Sequence, residues 1–286
     1  MTIDPPLPLA GLSVTMRALA ARAEELRRDV TRPVLLVGAR GLGKQYLAQR
    51  IHRGSSLATQ PLLELDARRA PESILRHLLD AAPPGATVLV RHIEHLSMTA
   101  QVMLDQRTHG NAAVQRIMAT TSGDLVTRVT AGEFLESLYY RLHAWPMLLP
   151  ALADRETDDL LALAAAVLAQ TGDADDGLPT TLDPSASAML AAHTWPDNLR
   201  ELEATLALAQ LRARNASEIR SAHLSLHAGD VTVPAGDASL HDVERWHLLR
   251  ALALHDGNRT HAARTLGISR MTLITRLKLI TGEDAR

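Results

Sequence analysis

The sequence predicts an α/β chain: a parallel sheet covered by helices, then a helical subdomain, then a small all-α unit containing a helix-turn-helix. Three observations predict it. Four apolar residues, Val34 to Val37, run into Gly38-Ala39-Arg40-Gly41-Leu42-Gly43-Lys44, a G-x-x-x-x-G-K loop, and helical spacing follows. Short apolar or β-branched runs alternate with helical segments as far as about residue 150 and then stop. Near the end, a three-residue turn containing glycine separates two helical stretches.

Each element has its own signal. Residues 1–11 are rich in proline and read as a loose lead-in. Ser13 to Arg28 carries apolar residues at helical spacing (Met16, Leu19, Ala23, Leu26). The strand at Val34 and the helix after the loop come next, the helix reaching about His52. Leu62 to Leu65 reads as a second strand and Pro71 to Ala81 as a helix, closed by Pro83-Pro84-Gly85. Ala86 to Val90 is a β-branched third strand, Ser97 to Gln106 a helix, and Arg116 to Thr121 a fourth strand. Beyond residue 150, Asp158 to Gln170, Pro184 to Ala192 and Asn198 to Leu211 are helical. Residues 228–239 combine small residues with Pro and Gly and read as a linker. The expected organisation is an N-terminal segment over 1–30, an α/β subdomain over 31–150, a helical lid over 151–227, the linker, and a helix-turn-helix unit over 240–286.

Composition narrows the class. The chain has 286 residues, 46% hydrophobic but only 2% aromatic, so aliphatic side chains and alanine must fill its core. There is no cysteine, hence no disulfide framework and no thiolate metal site. The histidines lack H-E-x-x-H spacing, and neither His92 with His95 nor His52 with His77 makes a convincing metal pair, so no metal site is expected. No apolar run reaches membrane-spanning length and no signal peptide opens the chain, so the expected location is the cytoplasm, with no membrane partner. With a net charge of −2, any nucleic-acid surface must be local.

Two stretches carry chemistry. Successive backbone N–H groups of Gly38, Ala39, Arg40, Gly41, Leu42, Gly43, Lys44 and Gln45 are spaced to surround a phosphate at a helix N-terminus, with Lys44 bringing charge to the β- and γ-phosphates. Among 30 Lys and Arg residues only Lys44 and Lys278 are lysine, so lysine survives where a phosphate loop needs a flexible ammonium. In the tail, Thr260 to Leu266 and Arg270 to Ile280 read as helices around Gly267-Ile268-Ser269, with Ser269 as N-cap. Ala262, Ala263, Leu266, Ile268, Leu273 and Leu277 supply a small core. From Asn258 to Lys278 the chain carries Arg259, Arg264, Arg270, Arg276 and Lys278 and no acidic residue, which suits double-stranded DNA. Ser269, Arg270, Thr272 and Thr275 are the expected groove contacts; Asn258, Arg259, Thr260, Arg276 and Lys278 complete the surface, with Arg276 and Lys278 nearer phosphates.

Taken in order, these motifs resemble the bacterial enhancer-binding proteins, the AAA+ transcription activators that remodel sigma-54 RNA polymerase. The resemblance covers roughly residues 31–280. Gly38 to Gln45 is similar to the family's phosphate loop, and Arg116 to Leu125 to its sensor I strand. Gly132 to Leu142, with Pro146 and Leu149-Pro150, resembles its subdomain hinge. Trp195 to Leu202 resembles its sensor II, which assigns Arg200 to the nucleotide phosphates, and the tail resembles its Fis-type DNA-binding domain. The resemblance implies an AAA+ fold, an ATP site at a subunit edge and ring assembly.

Departures from the family pattern fall on hydrolysis and on sigma-54. The family's adjacent Asp-Glu pair after the third strand, which serves Mg²⁺ and the attacking water, is Arg91-His92 here. The sensor I Asn is Ser122, and two arginine-finger positions are Glu133 and Leu135. The sequence from Ile74 to Val90 leaves no room for the Gly-Ala-Phe-Thr-Gly-Ala hairpin that contacts sigma-54. The expectation is a DNA-binding regulator that holds ATP or ADP as a structural ligand or switch, without Mg²⁺-dependent hydrolysis and without sigma-54. It would act as a homodimer or larger oligomer. Two alternatives stand beside it: an accessory subunit that joins or restrains an intact AAA+ activator paralogue, and an active ATPase with an atypical metal site around Asp66 or Glu94.

Overall fold

A computed structural model of the chain describes residues 7–108, 115–171, 178–214, 216–226, 248 and 263–281. The described residues fall into two units, one within 1–225 and one within 226–286.

The first unit begins with a 3₁₀ turn, Leu7–Leu9, and helix α1 (Val14–Arg28), whose first turn is capped by the Ser13 hydroxyl. Strands β1 (Val34–Val37), β2 (Leu62–Asp66), β3 (Thr87–Arg91) and β4 (Arg116–Thr121) alternate with helices α2 (Lys44–Arg53), α3 (Glu72–Ala81) and α4 (Met98–Arg107). Two short helices, α5 (Leu125–Thr130) and α6 (Glu136–Leu142), lead to β5 (Pro146–Leu148). The sheet is parallel throughout, in the order β2-β3-β4-β1-β5. Central strands of a parallel sheet are covered on both faces, and β4 is buried along its whole length. Leu35, Val88, Val90, Ile117 and Ala119 pack with Leu75, Leu79, Leu104, Leu138 and Leu142 from the helices. Aliphatic side chains thus build the core, as the scarcity of aromatics requires.

Sheet order sets the site. The chain passes from β1 at one side of β4 to β2 at the far edge, so the carboxyl ends of β1, β4 and β3 lie side by side. In register, Val37 faces Thr121 of β4, and Arg91 faces both Asp66 of β2 and Thr120 of β4. The phosphate-loop sequence, Ser122 and Arg91-His92 all emerge on that one rim. Helix α3 ends at Ala81 and β3 begins at Thr87, with Gly85 turning the connection at φ +81°.

Two expectations need correction here. The sheet has a fifth strand, where sequence reading finds four. Strand β5 is three residues long and opens on proline, which has no N–H to donate and is tolerated because β5 is an edge. The lead-in is not loose over its described part: Leu9 and Ala10 are buried, Arg155 donates to Pro8 O at 2.9 Å, and the Asp159 carboxylate accepts from the N–H groups of Leu12 (2.5 Å) and Ser13 (2.7 Å). Residues 1–6 lie outside the described residues.

Helices α7 (Thr157–Thr171), α8 (Pro184–Ala192) and α9 (Asn198–Arg212) form the helical subdomain. Trp195 is buried and donates its indole N–H to Leu190 O at 3.0 Å, which fixes the turn between α8 and α9. Trp145 is partly exposed, and the guanidinium groups of Arg22 and Arg32 lie 4.1 and 4.5 Å from its ring centre.

In the second unit, Leu248, Ala263 and Leu273 are buried, with Leu266 and Ile268 packed against them. Gly267 turns at φ +68°, and the Ser269 hydroxyl accepts from Thr272 N at 3.0 Å, capping helix α10 (Arg270–Thr281) as its sequence predicts. The side chains of Ala262 and Leu277 lie outside the described residues.

Candidate functional site

The loop between β1 and α2 is shaped by glycine at two positions. Gly43 precedes α2 in a left-handed conformation (φ +72°), and Gly41 sits at φ +78° with its α-carbon against the lid. A β-carbon on Gly41 would lie 2.0 Å from Asp197 O, so only glycine permits the approach. Ala39 and Arg40 are exposed, Leu42 is buried beneath the loop, and Gly38 N donates to Thr121 O at 3.3 Å. Lys44 is 8% exposed. Its ammonium donates to Gly38 O (2.6 Å) and Ala39 O (2.7 Å), folded over the loop rather than extended into solvent. Burial pushes its pKa down to about 8, against a partial upward pull from the Glu94 carboxylate.

Lid and loop are joined through the backbone and one side chain. Arg200 N donates to Gly41 O at 3.2 Å. Asn198 donates from Nδ2 to Arg40 O and accepts on Oδ1 from Leu152 N, both at 2.9 Å. Asn198 is buried at φ +52°, a left-handed position that asparagine tolerates better than most residues. Sequence reading names Asn198 only within the sensor-II-like motif; its signal was an Asn that both starts a helix and follows a Pro-Asp turn. The Arg200 side chain is 71% exposed and lies 3.7 Å from Asp197, on the lid surface rather than folded onto the loop.

At the ends of β2 and β3 the charges are locked together. Arg91 Nη1 donates to Gln45 Oε1 at 2.7 Å, and Gln45 Nε2 donates to Glu64 Oε2 at 2.5 Å. Arg68 binds Asp66 through Nε (3.1 Å), Nη2 (2.8 Å) and its backbone N–H (3.1 Å), which holds the Asp66 carboxyl well below the usual range. Arg91 Nη2 lies 3.6 Å from the same carboxylate. His92 takes the left-handed conformation at φ +56°, which turns the chain into a 3₁₀ turn carrying Glu94. Glu94 is 7% exposed and accepts from Ser122 N (3.2 Å) and Ser122 Oγ (3.3 Å). Burial works to raise its pKa, but hydrogen bonds from the backbone N–H groups of Glu94 and Ser122 and from the Thr121 hydroxyl, together with His92, hold it below the ordinary carboxylate value. His52 is buried and bonded to Thr87 and Gln60, a packing role. Among the described residues no three His, Asp or Glu side chains converge to hold a metal ion.

In the hinge-like segment, Phe134, Leu138 and Leu142 are buried, while Glu133 is exposed and 3.3 Å from Arg128. In the second unit, Ser269, Arg270, Thr275 and Arg276 are exposed and Thr272 is half-buried. The Ser269 and Thr272 hydroxyls lie 2.7 Å apart at the helix cap, and Thr275 donates to Met271 O at 3.0 Å. Among the described side chains of α10, the exposed charged ones are Arg270 and Arg276. Met271, 70% exposed, was missed; its only signal is an apolar residue at a position the core pattern skips. Asn258, Arg259 and Thr260 lie outside the described residues, and so does the Lys278 side chain.

Comparison with known proteins agrees with this architecture. Residues 10–152 match the family described as a sigma-54 interaction domain, residues 154–237 an AAA+ ATPase lid domain, and residues 239–278 the Fis family of bacterial regulatory proteins. The transcriptional regulatory protein ZraR of Klebsiella oxytoca is 31% identical over 305 residues, covering 94% of this chain and 68% of that protein. The regulatory protein AtoC of Escherichia coli K12 is 30% identical over 286 residues, covering 86% of this chain. The chain spans 62% of the length of AtoC. The crystal structure of NtrX from Brucella abortus in complex with ATP shares the fold, with a TM-score of 0.65 at 22% identity over 95% of this chain and 69% of that one. No helix among the described residues is long and apolar enough to cross a membrane. With its P-loop sheet, its lid and its helix-turn-helix, the chain belongs to the sigma-54 activator family of AAA+ transcriptional regulators.

Proposed function

We propose that this protein is a sequence-specific, DNA-binding transcriptional regulator whose AAA+ domain binds ATP or ADP without hydrolysing it and without remodelling sigma-54 polymerase. The observation that carries the reading is the rim of β3. Where hydrolysis calls for a metal-holding carboxylate and a base to orient water, the chain has Arg91, bonded to Gln45, and His92, turned left-handed. Asp66 does not replace them, because Arg68 occupies its oxygens. Glu94 is drawn onto Ser122. The glycines of the loop, Lys44 and the lid contact at Gly41 are kept, which supports a retained ligand: ATP or ADP, held by residues 38–45 with Arg200 closing from the lid. The short α3–β3 connection has no place for the sigma-54-contacting hairpin.

The exposed basic residues of α10 support a DNA contact through Arg270, Thr275 and Arg276, acting in pairs as a homodimer or ring in the cytoplasm. The proposed limits of the parts are 31–150 for the α/β subdomain, 151–227 for the lid and 240–286 for the reader. A second reading, co-assembly with an intact AAA+ activator, is favoured by Glu133 and Leu135 at the finger positions, since such a subunit would withhold its fingers from a neighbour's ATP.

Selection of genomic DNA on the purified chain, followed by footprinting, tests the DNA assignment. A dyad-symmetric protected site is expected. Arg270→Ala with Arg276→Ala is expected to weaken binding to it by about 30-fold or more, since each guanidinium contact carries roughly 1–3 kcal/mol. Undiminished binding by that double variant contradicts the assignment of α10.

A further inference from the structure

A phosphate loop of this type ordinarily ends in Lys-Ser or Lys-Thr, whose hydroxyl sits on Mg²⁺, and the ion's other protein contact comes from the acidic end of β3. Both positions differ here, and the two replacements touch. Gln45 follows Lys44, and its carbonyl oxygen accepts from Arg91 Nη1 at 2.7 Å while its amide donates to Glu64 at 2.5 Å. Both polar atoms of Gln45 are engaged by side chains. Mg²⁺ demands six oxygens near octahedral geometry and is bound through a carboxylate plus phosphates. The residues present do not fit it: the position of the carboxylate holds a guanidinium, and the neighbouring carboxylate of Asp66 is taken by Arg68.

What stands there instead is itself a cation. The Arg91 guanidinium is held from two sides, by Gln45 on the first turn of α2 and by Asp66 at 3.6 Å. Its Nε is buried without a hydrogen-bond partner, while the side chain as a whole stays 29% exposed at the rim where the loop ends. Guanidinium groups match phosphate geometry and are weakly hydrated, which suits them to a fixed charge beside a polyphosphate. We infer that the Arg91–Gln45 pair takes the place of the divalent cation, so that this chain binds nucleoside di- or triphosphates in their metal-free form. The inference rests on the nucleotide-binding reading above and adds to it the ionic form of the ligand. Mg²⁺ in solution then competes with the protein for the phosphates rather than bridging them to it.

The test is calorimetric titration of the full chain with ATP and with ADP, once with excess Mg²⁺ and once in EDTA. The affinity in EDTA is expected to equal or exceed that in Mg²⁺. Arg91→Gln is expected to lose about 10–100-fold in either buffer, as for one charge-assisted phosphate contact. The pair Gln45→Thr with Arg91→Asp is expected to bind only when Mg²⁺ is present. A wild-type affinity that falls by about tenfold or more on removal of Mg²⁺ overturns the inference while leaving nucleotide binding intact. No binding of either nucleotide in either buffer overturns the inference together with the reading on which it rests. The wild-type comparison needs no variant, so its outcome does not depend on how a substituted chain folds.

Discussion

Lys44 shows how much one residue's burial decides. An ordinary lysine is charged throughout the physiological range, but here burial lowers the pKa to about 8. A phosphate ligand needs the protonated form. Below that value the ammonium is already charged and binding is at its full strength; as pH rises through it, the ligand must supply the free energy of protonation. Nucleotide affinity is therefore expected to hold steady up to about pH 8 and then to fall by up to about tenfold per pH unit, with proton uptake on binding. Calorimetry in two buffers of different ionisation enthalpy measures both, and an affinity unchanged above that pH contradicts a buried, ligand-facing Lys44. The residue was legible in the sequence because its motif is contiguous. Gln45 was legible only as part of the loop, since its significance lies in Arg91, 46 positions away, and no local pattern announces such a pairing.

Among the elements, the join between loop and lid is the one that matters. Helix α9 begins at Asn198, and this single side chain bridges Arg40 O in the phosphate loop and Leu152 N beyond β5. Both partners are main-chain groups with no alternative partner on the side chain of alanine. Asn198→Ala is expected to destabilise the first unit by about 2–4 kcal/mol, from two lost hydrogen bonds and a left-handed backbone that alanine disfavours. Urea unfolding monitored by the fluorescence of buried Trp195 measures it, and a loss within about 0.5 kcal/mol contradicts the bridging role. Helices and strands of this unit were legible from apolar spacing. Strand β5 was not, because three residues starting with proline are too short to show a period. The anchoring of residues 7–13 was not legible either: it depends on Asp159 and Arg155, nearly 150 positions away, and no local pattern links them to it.

At the scale of the whole chain, the family's parts persist, and on the proposed reading the chemistry linking them has changed. The sheet order brings the phosphate loop, Ser122 and the end of β3 to one rim, the arrangement that a hydrolysing member uses. In this chain the rim carries Arg91 and His92, with the nearest carboxylates engaged by Arg68 and Ser122. Order, motifs and fold class were legible because each rests on contiguous sequence; the engagement of Asp66 and Glu94 was not, because it depends on where a left-handed His92 sends the chain. The central claim is that the domain holds nucleotide without turning it over. Steady-state hydrolysis of MgATP by the purified chain, with and without its selected DNA and against a Lys44→Ala control, tests this most directly. No turnover above that control is expected. Turnover that depends on Lys44 would contradict the claim, and would make Asp66 or Glu94 the place to look for the metal and the base.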